Sequence, residues 1–161
     1  MSQFVTFRLG GQLMGMDILL VREINQIMES TYVQRAPEFI VGLINLRGQI
    51  VTIFDLARRL EMPGKPSEEC HNIILKSNSE LLPIRVREKK EDLVSADEVV
   101  GLRVDAIGDV MDIEKQRIEP SPANIGHFDQ HFLTGVVSLE SELLLILDVG
   151  AVLNKDFESA A

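Results

Sequence analysis

The chain has 161 residues, 45% of them hydrophobic and 25% charged, and carries a formal net charge of −9. That length fits one domain of ordinary size, or two very small halves that share a core. The acidic balance argues against nucleic acid and anionic membrane surfaces as partners, since both need clustered Lys and Arg, and the lone Cys70 excludes an internal disulfide.

Read in chain order, the pattern is mostly β. Residues Gln3 to Leu9 alternate, Gly10-Gly11 offers a turn, and Leu13 to Ile18 resumes an apolar strand, which together predict a hairpin. Ile18, Val21, Ile24 and Met28 stand at helical spacing, but the repeat described below favours strand, short break, strand over residues 17–28. Val41 to Leu46 and Gln49 to Phe54 read as strands, followed by Asp55 as the N-cap of a short helix over LARRL. Asn72 to Lys76 is a further strand. The basic run Arg85 to Lys90 passes directly into Glu91 and Asp92, as a solvated mixed-charge segment does. The charged stretch Leu81 to Glu98 contains Pro83, and an elongated loop or extended hairpin is expected there. Val99 to Val104, Leu133 to Leu139 and Leu143 to Leu147 are strands. Asp148 caps a last helix over VGAVL that is expected to run towards Phe157 and fray, leaving residues 151–161 as C-terminal helix and tail.

An internal repeat organises these elements. Residues 39–60 (FIVGLINLRGQIVTIFDLARRL) align without a gap on residues 132–153 (FLTGVVSLESELLLILDVGAVL). Phe39 falls on Phe132, Gly42 on Gly135, Ile53 on Ile146 and Asp55 on Asp148. Upstream, Gly15 to Ile18 matches Gly101 to Val104, and Val21 to Ile24 matches Ile107 to Val110. The duplication predicts a mainly β fold of two small barrels of about five strands each, with a short helix after each repeat. The segment from Leu81 to Glu98 has no counterpart in the first half.

The copies differ at the hairpin tip. Asn45-Leu46-Arg47-Gly48 in the first stands where Ser138-Leu139-Glu140-Ser141 stands in the second. An arginine on a rigid hairpin can make bidentate contact with a partner's carboxylate or backbone.

The sequence carries no recognisable catalytic constellation: no nucleophile elbow, P-loop or dinucleotide fingerprint. His127 and His131, with Asp129 between them, could ligate a metal only with a third partner that the sequence does not supply nearby. Cys70 and His71, adjacent on a strand, point to opposite faces. The expectation is a protein that is not an enzyme and has no cofactor or metal. The N-terminal MSQFVTFRLG does not read as a signal peptide, and no apolar run approaches the roughly 18 residues of a spanning helix. The predicted location is cytoplasmic, with no direct membrane insertion.

The run Gly42 to Leu56 (GLINLRGQIVTIFDL) resembles the signature of CheW-type chemotaxis coupling domains. Phe7 to Gly10, Gly15 to Ile18 and Val21 to Ile24 resemble that family's N-terminal strands, and Phe132 to Asp148 its last hairpin. The resemblance covers nearly the whole chain. It implies a single domain over residues 1–161 built from two five-stranded SH3-like barrels around a shared apolar junction. The first barrel would span about residues 10–75 and the second about 76–150, with the N-terminal strand pairing with either. It implies a scaffold that links a chemotaxis histidine kinase, through the kinase's regulatory SH3-like domain, to the cytoplasmic helical tips of transmembrane chemoreceptors. Ile18, Val21, Glu23, Ile24, Gly42 and Arg47 would lie on the partner-binding surface, with Asn45 and Gly48 completing the Asn-Leu-Arg-Gly tip. The Leu81 to Glu98 region is longer than the family pattern and leaves a divergent motility pathway open. Two other readings stand beside the scaffold: a small-molecule sensor with its pocket in the aliphatic junction, and an enzyme centred on His127 and His131.

Overall fold

A computed structural model describes residues 2–26, 29–63, 70–122 and 129–154. They form ten strands in two five-stranded sheets, with short helices between. The first sheet contains β3 (Val21–Gln26), β4 (Ile40–Leu46), β5 (Gln49–Asp55), β6 (His71–Leu75) and β7 (Val100–Val104), in the order β3-β6-β7-β5-β4. The second contains β1 (Ser2–Leu9), β2 (Gln12–Asp17), β8 (Ala106–Ile113), β9 (Leu133–Ser138) and β10 (Leu143–Leu147), in the order β8-β1-β2-β10-β9. The orders are identical once each strand is replaced by its repeat counterpart. The one parallel pair of each sheet, β5 with β7 and β2 with β10, occupies the same place.

The sequence repeat is therefore not the structural unit. Each sheet takes three strands from one repeat and two from the other, because the chain changes sheet after β2 and again after β7. The first crossing is a 3-10 turn, Ile18–Leu20, capped by Asp17, whose Oδ1 accepts the Leu19 N–H at 2.9 Å. The second passes through Asp105, whose N–H bonds the Arg8 carbonyl (3.1 Å) and whose Oδ2 accepts from the Gly10 N–H (2.8 Å). The sheets thus divide the chain differently from the expected 10–75 and 76–150. Hydrophobic alternation specifies that a segment is a strand, but not which sheet receives it. The ladders run from edge to edge without closing, so among the described residues each sheet is open rather than a hydrogen-bonded barrel.

The two sheets share one core. Phe7, Met14 and Met16 from the second sheet and Phe54, Ile73 and Leu102 from the first are fully buried in a common apolar cluster. Each such side chain contributes about 1.5–3 kcal/mol of burial. Each sheet also has a smaller inner cluster, around Ile53 and Ile74 in the first and around Leu13 and Leu144 in the second.

The repeat caps form as the sequence predicts. Asp55 accepts from the Arg58 N–H and starts α1 (Leu56–Arg59), and Asp148 accepts from the Ala151 N–H and starts α3 (Val149–Leu153). α3 stops at Leu153 because Asn154 leaves the helical region (φ −72°, ψ 106°), and Phe157 lies outside the described residues.

Arg59 ties the copies together. It is buried, with its guanidinium carbon 5.1 Å from the Phe39 ring and 5.0 Å from the Phe132 ring. These are the two aligned phenylalanines of the repeat. Its Nε donates to the Val152 carbonyl (2.7 Å) and a terminal nitrogen to that of Asn154 (3.2 Å), so it stacks between two aromatic faces and closes orphan carbonyls of α3.

The largest departure from expectation is α2 (Asn78–Glu88), where a loop or hairpin is expected. Glu80 reaches back to accept from the Ser77 N–H (3.1 Å), which fixes the first turn, and Leu81 and Ile84 bury one face. Pro83 removes one donor from the helix, but two buried anchors and a capped start outweigh that loss. Lys89, at φ 55°, ends the helix in the left-handed region.

Candidate functional site

The tip between β4 and β5 is a two-residue turn. Leu46 faces Gln49 across it, and Arg47 and Gly48 take φ values of 51° and 87°. This is the type I′ pattern, for which Asn-Gly is the usual pair. The left-handed conformation costs an ordinary residue about 1–2 kcal/mol, so Arg47 is held there at a local cost. Asn45 secures the turn by accepting from the Gly48 N–H at 2.8 Å. The result is an arginine side chain 70% exposed at the head of a rigid hairpin.

β3 supplies the other half of the site. The pairing of β3 with β6 shifts register between Val21 and Glu23, and such a bulge re-aims side chains. Glu23 forms an ion pair with Arg47. Arg22 reaches Gln49 on β5, donating to its Oε1 at 2.7 Å, and pairs with Glu80 in the first turn of α2. That Arg22 contact, aided by Ser77, holds the Glu80 carboxyl below the usual carboxylate range. β3 and β4 are opposite edges of the first sheet, so these side-chain contacts bring its two ends together. Ile24 on β3 is 40% exposed and Ile50, opposite Asn45, is 67% exposed. Val21 and Ile18 are half-buried, and Val21 packs against the shared core.

Seven of the eight expected site residues thus lie on β3, the turn before it, or the β4–β5 tip. Gly42 stands apart because it is buried. A Cβ there would sit 2.4 Å from the Thr31 carbonyl oxygen, where Thr31 and Leu43 exchange backbone hydrogen bonds. Gly135 does the same against the Glu119 carbonyl, at 2.7 Å. Both glycines let a passing segment approach the strand. Sequence reasoning missed Arg22, Gln49, Glu80 and Ile50. Ile50 alone carried a signal, as an apolar residue directly beside a polar turn.

His131 is exposed and follows the turn set by Asp129, while His127 lies outside the described residues. Among the described residues no group of three or more His, Cys, Asp or Glu side chains is placed to hold a metal. Burial pushes the Cys70 thiol above its ordinary pKa. Two hollows border the described residues: one of 1310 Å³ between α2 and the second sheet, whose lining includes Leu20, Leu147 and Val149 of the shared core, and one of 480 Å³ beside α1. No helix among the described residues is long and apolar enough to cross a membrane.

Two interleaved SH3-like sheets that present a braced, charged hairpin beside exposed aliphatic side chains define an interaction module, of the class that works by contact with other proteins. The chain belongs to the CheW-like domain family, whose profile matches residues 3–157. It is 30% identical over 160 residues to a probable chemotaxis protein CheW of Rhizobium etli, covering 99% of this chain and 92% of that protein. It is also 30% identical to the chemotaxis protein CheW of Klebsiella aerogenes, covering 96% and 83%. The crystal structure of the scaffolding protein TtCheW from Thermoanaerobacter tengcongensis superposes with a TM-score of 0.77 at 27% identity, over 95% of this chain and 88% of that one. This membership places the protein among the scaffold proteins of chemotaxis.

Proposed function

We propose that this protein is a cytoplasmic, non-catalytic coupler that joins the regulatory SH3-like domain of a chemotaxis histidine kinase to the helical tips of transmembrane chemoreceptors. In this reading the contact surface consists of Ile18, Val21, Glu23, Ile24, Asn45, Arg47 and Gly48, with Ile50 added, and it is recruited to receptor arrays at the membrane. The observation that carries the reading is Arg47: an exposed guanidinium, held in a costly backbone conformation and oriented by Glu23, beside exposed Ile50. Backbone strain at an exposed site persists where function requires the side chain. Arginine on a preorganised surface, flanked by aliphatic contacts, is the composition of a binding hot spot.

The test is a titration of wild type and Arg47→Ala against the purified regulatory domain of the same organism's chemotaxis kinase, with receptor-containing membranes as a second ligand. Arg47→Ala is expected to weaken binding by about 5- to 1000-fold, or about 1–4 kcal/mol, with an unchanged thermal melt. Wild type that binds neither ligand removes the coupling function, and a variant that binds as wild type removes the site.

A further inference from the structure

Neighbouring residues on a regular strand point to opposite faces. β3 breaks that rule at one place. Val21 faces Leu75 and Glu23 faces Ile74 on β6, so Arg22 is the extra residue of a bulge, with no opposite number. Arg22 and Glu23 therefore both reach the β4–β5 hairpin, Arg22 at Gln49 and Glu23 at Arg47. No backbone ladder joins β3 to that hairpin, so side chains bridge the gap.

Arg22 uses its whole guanidinium. Nη1 donates to Gln49 Oε1 at 2.7 Å, one residue past the tip, while Nε (3.2 Å) and Nη2 fork onto the Glu80 carboxylate of α2. Glu80 also accepts from the N–H and the hydroxyl of Ser77, each at 3.1 Å. Ser77 is buried, and Lys76 before it donates its backbone N–H to the Leu20 carbonyl (2.8 Å) and its ammonium to that of Leu19 (3.1 Å). A continuous set of contacts thus runs from the anchored start of α2, through Arg22, to the head of the hairpin. The second copy folds without it. Gly108 stands where Arg22 stands, and a Cβ there would lie 2.6 Å from Thr6 Oγ1. α2 lies between β6 and β7, where the second sheet has only the Gly10-Gly11 turn between β1 and β2. The latch occurs in the copy whose tip projects an arginine. With the Arg22 and Glu80 side chains 23% and 35% exposed, the ion pair adds little to stability. What it supplies is position, because the left-handed Arg47 turn is costly and a loosened tip would leave the guanidinium misplaced part of the time.

We propose that Arg22 is a positioning residue for the binding tip, through which the first turn of α2 holds the Arg47 hairpin in its binding conformation; this rests on the coupling function proposed above and adds to it a residue that acts on the kinase through Arg47.

The experiment titrates the full chain with the purified regulatory domain of the same organism's chemotaxis kinase. Arg22→Ala is expected to weaken binding about 3- to 10-fold, as the competent fraction of tips falls to about a third or a tenth. Glu80→Gln keeps an acceptor for Ser77 but not the charge that holds Arg22, and it is expected to weaken binding about 2- to 3-fold. In an Arg47→Ala background, Arg22→Ala should change affinity less than about 2-fold, because no guanidinium is left to place. Hydrogen exchange at the Gly48 N–H, which Asn45 holds at 2.8 Å, should be faster in Arg22→Ala than in wild type. Arg22→Ala and Glu80→Gln that bind as wild type does, or an Arg22→Ala loss of the same size with and without Arg47, overturn the positioning role and leave the coupling function standing. Unchanged Gly48 exchange overturns the positioning role as well. Wild type that binds no kinase domain overturns the coupling function and with it the role assigned to Arg22.

Discussion

The two hairpin tips start from one scaffold and end with opposite characters. In the first, Arg47 and Gly48 are left-handed, and the arginine projects into solvent against Glu23. In the second, neither Glu140 nor Ser141 has a positive φ, and the Leu139 N–H closes the turn on the Glu142 carbonyl at 2.9 Å. Glu142, which aligns with Gln49, makes a two-pronged contact with Arg8 at 2.6 and 2.9 Å and thereby braces its own sheet. Arg8 holds the Glu142 carboxyl below its usual range, but the pair is open to water and worth little to stability. Duplication supplied two equal hairpins; one spends its charge on its own fold and the other holds it out.

The comparison is broken most severely at the point where the copies meet. Arg59→Ala removes the stacked guanidinium from between Phe39 and Phe132 and strips the Val152 carbonyl of its donor. It is expected to cost about 2–4 kcal/mol in urea denaturation. Next come the matched glycines. Gly42→Ala and Gly135→Ala each drive a methyl into a backbone carbonyl, for an expected loss of about 1–3 kcal/mol. Gly42→Ala should be the worse, since its contact is shorter; equal melts would show that the first copy relaxes more freely than its geometry implies. At the tip itself the sign reverses. Arg47→Asn supplies the residue that type I′ turns favour and should stabilise the fold by about 0.5–1 kcal/mol while weakening kinase binding, whereas Glu140→Asn should change neither. A loss of stability in Arg47→Asn would mean that the Glu23 contact outweighs the turn strain.

The smallest effect is a pH dependence at Glu80. Arg22 lowers the folded pKa, so the contribution is complete above the unfolded glutamate value of about 4.3 and is lost as pH falls through the lowered folded value. Because the pair is partly exposed, the effect is expected to be at most about 1 kcal/mol. Glu80→Gln should flatten the acid limb of a series of thermal melts between pH 3 and 7, and an unchanged limb would show that other carboxylates set it.

The sequence carried the strands, both aspartate caps and the duplication, because period-two alternation and capping chemistry are local. The break at Ile18–Leu20 was legible only through its match to Val104–Ile107. The exchange of strands between sheets was not legible, since nothing in the composition of β2 or β7 names a partner. α2 was missed because its weak apolar stripe and Pro83 hide a helix that Ser77 and Glu80, three apart, announce. Arg59 in LARRL reads as an ordinary last-turn cation; its burial arises from Phe132, 73 positions later. Arg47 is singled out in the sequence by the difference between the two hairpin tips and takes its partner-binding role from the family resemblance; its left-handed backbone was invisible without coordinates.

Arg59 also bears on how such a chain could arise. Positions 59 and 152 align, and the arginine at one bonds the carbonyl of the valine at the other. In a symmetric dimer of half-length chains these would be the same residue. Two arginines would then crowd like charges between one pair of rings, and two valines would leave the space between them empty. A single polypeptide can place one cation between the matched phenylalanines of its two copies, and an arginine so placed makes the halves no longer interchangeable.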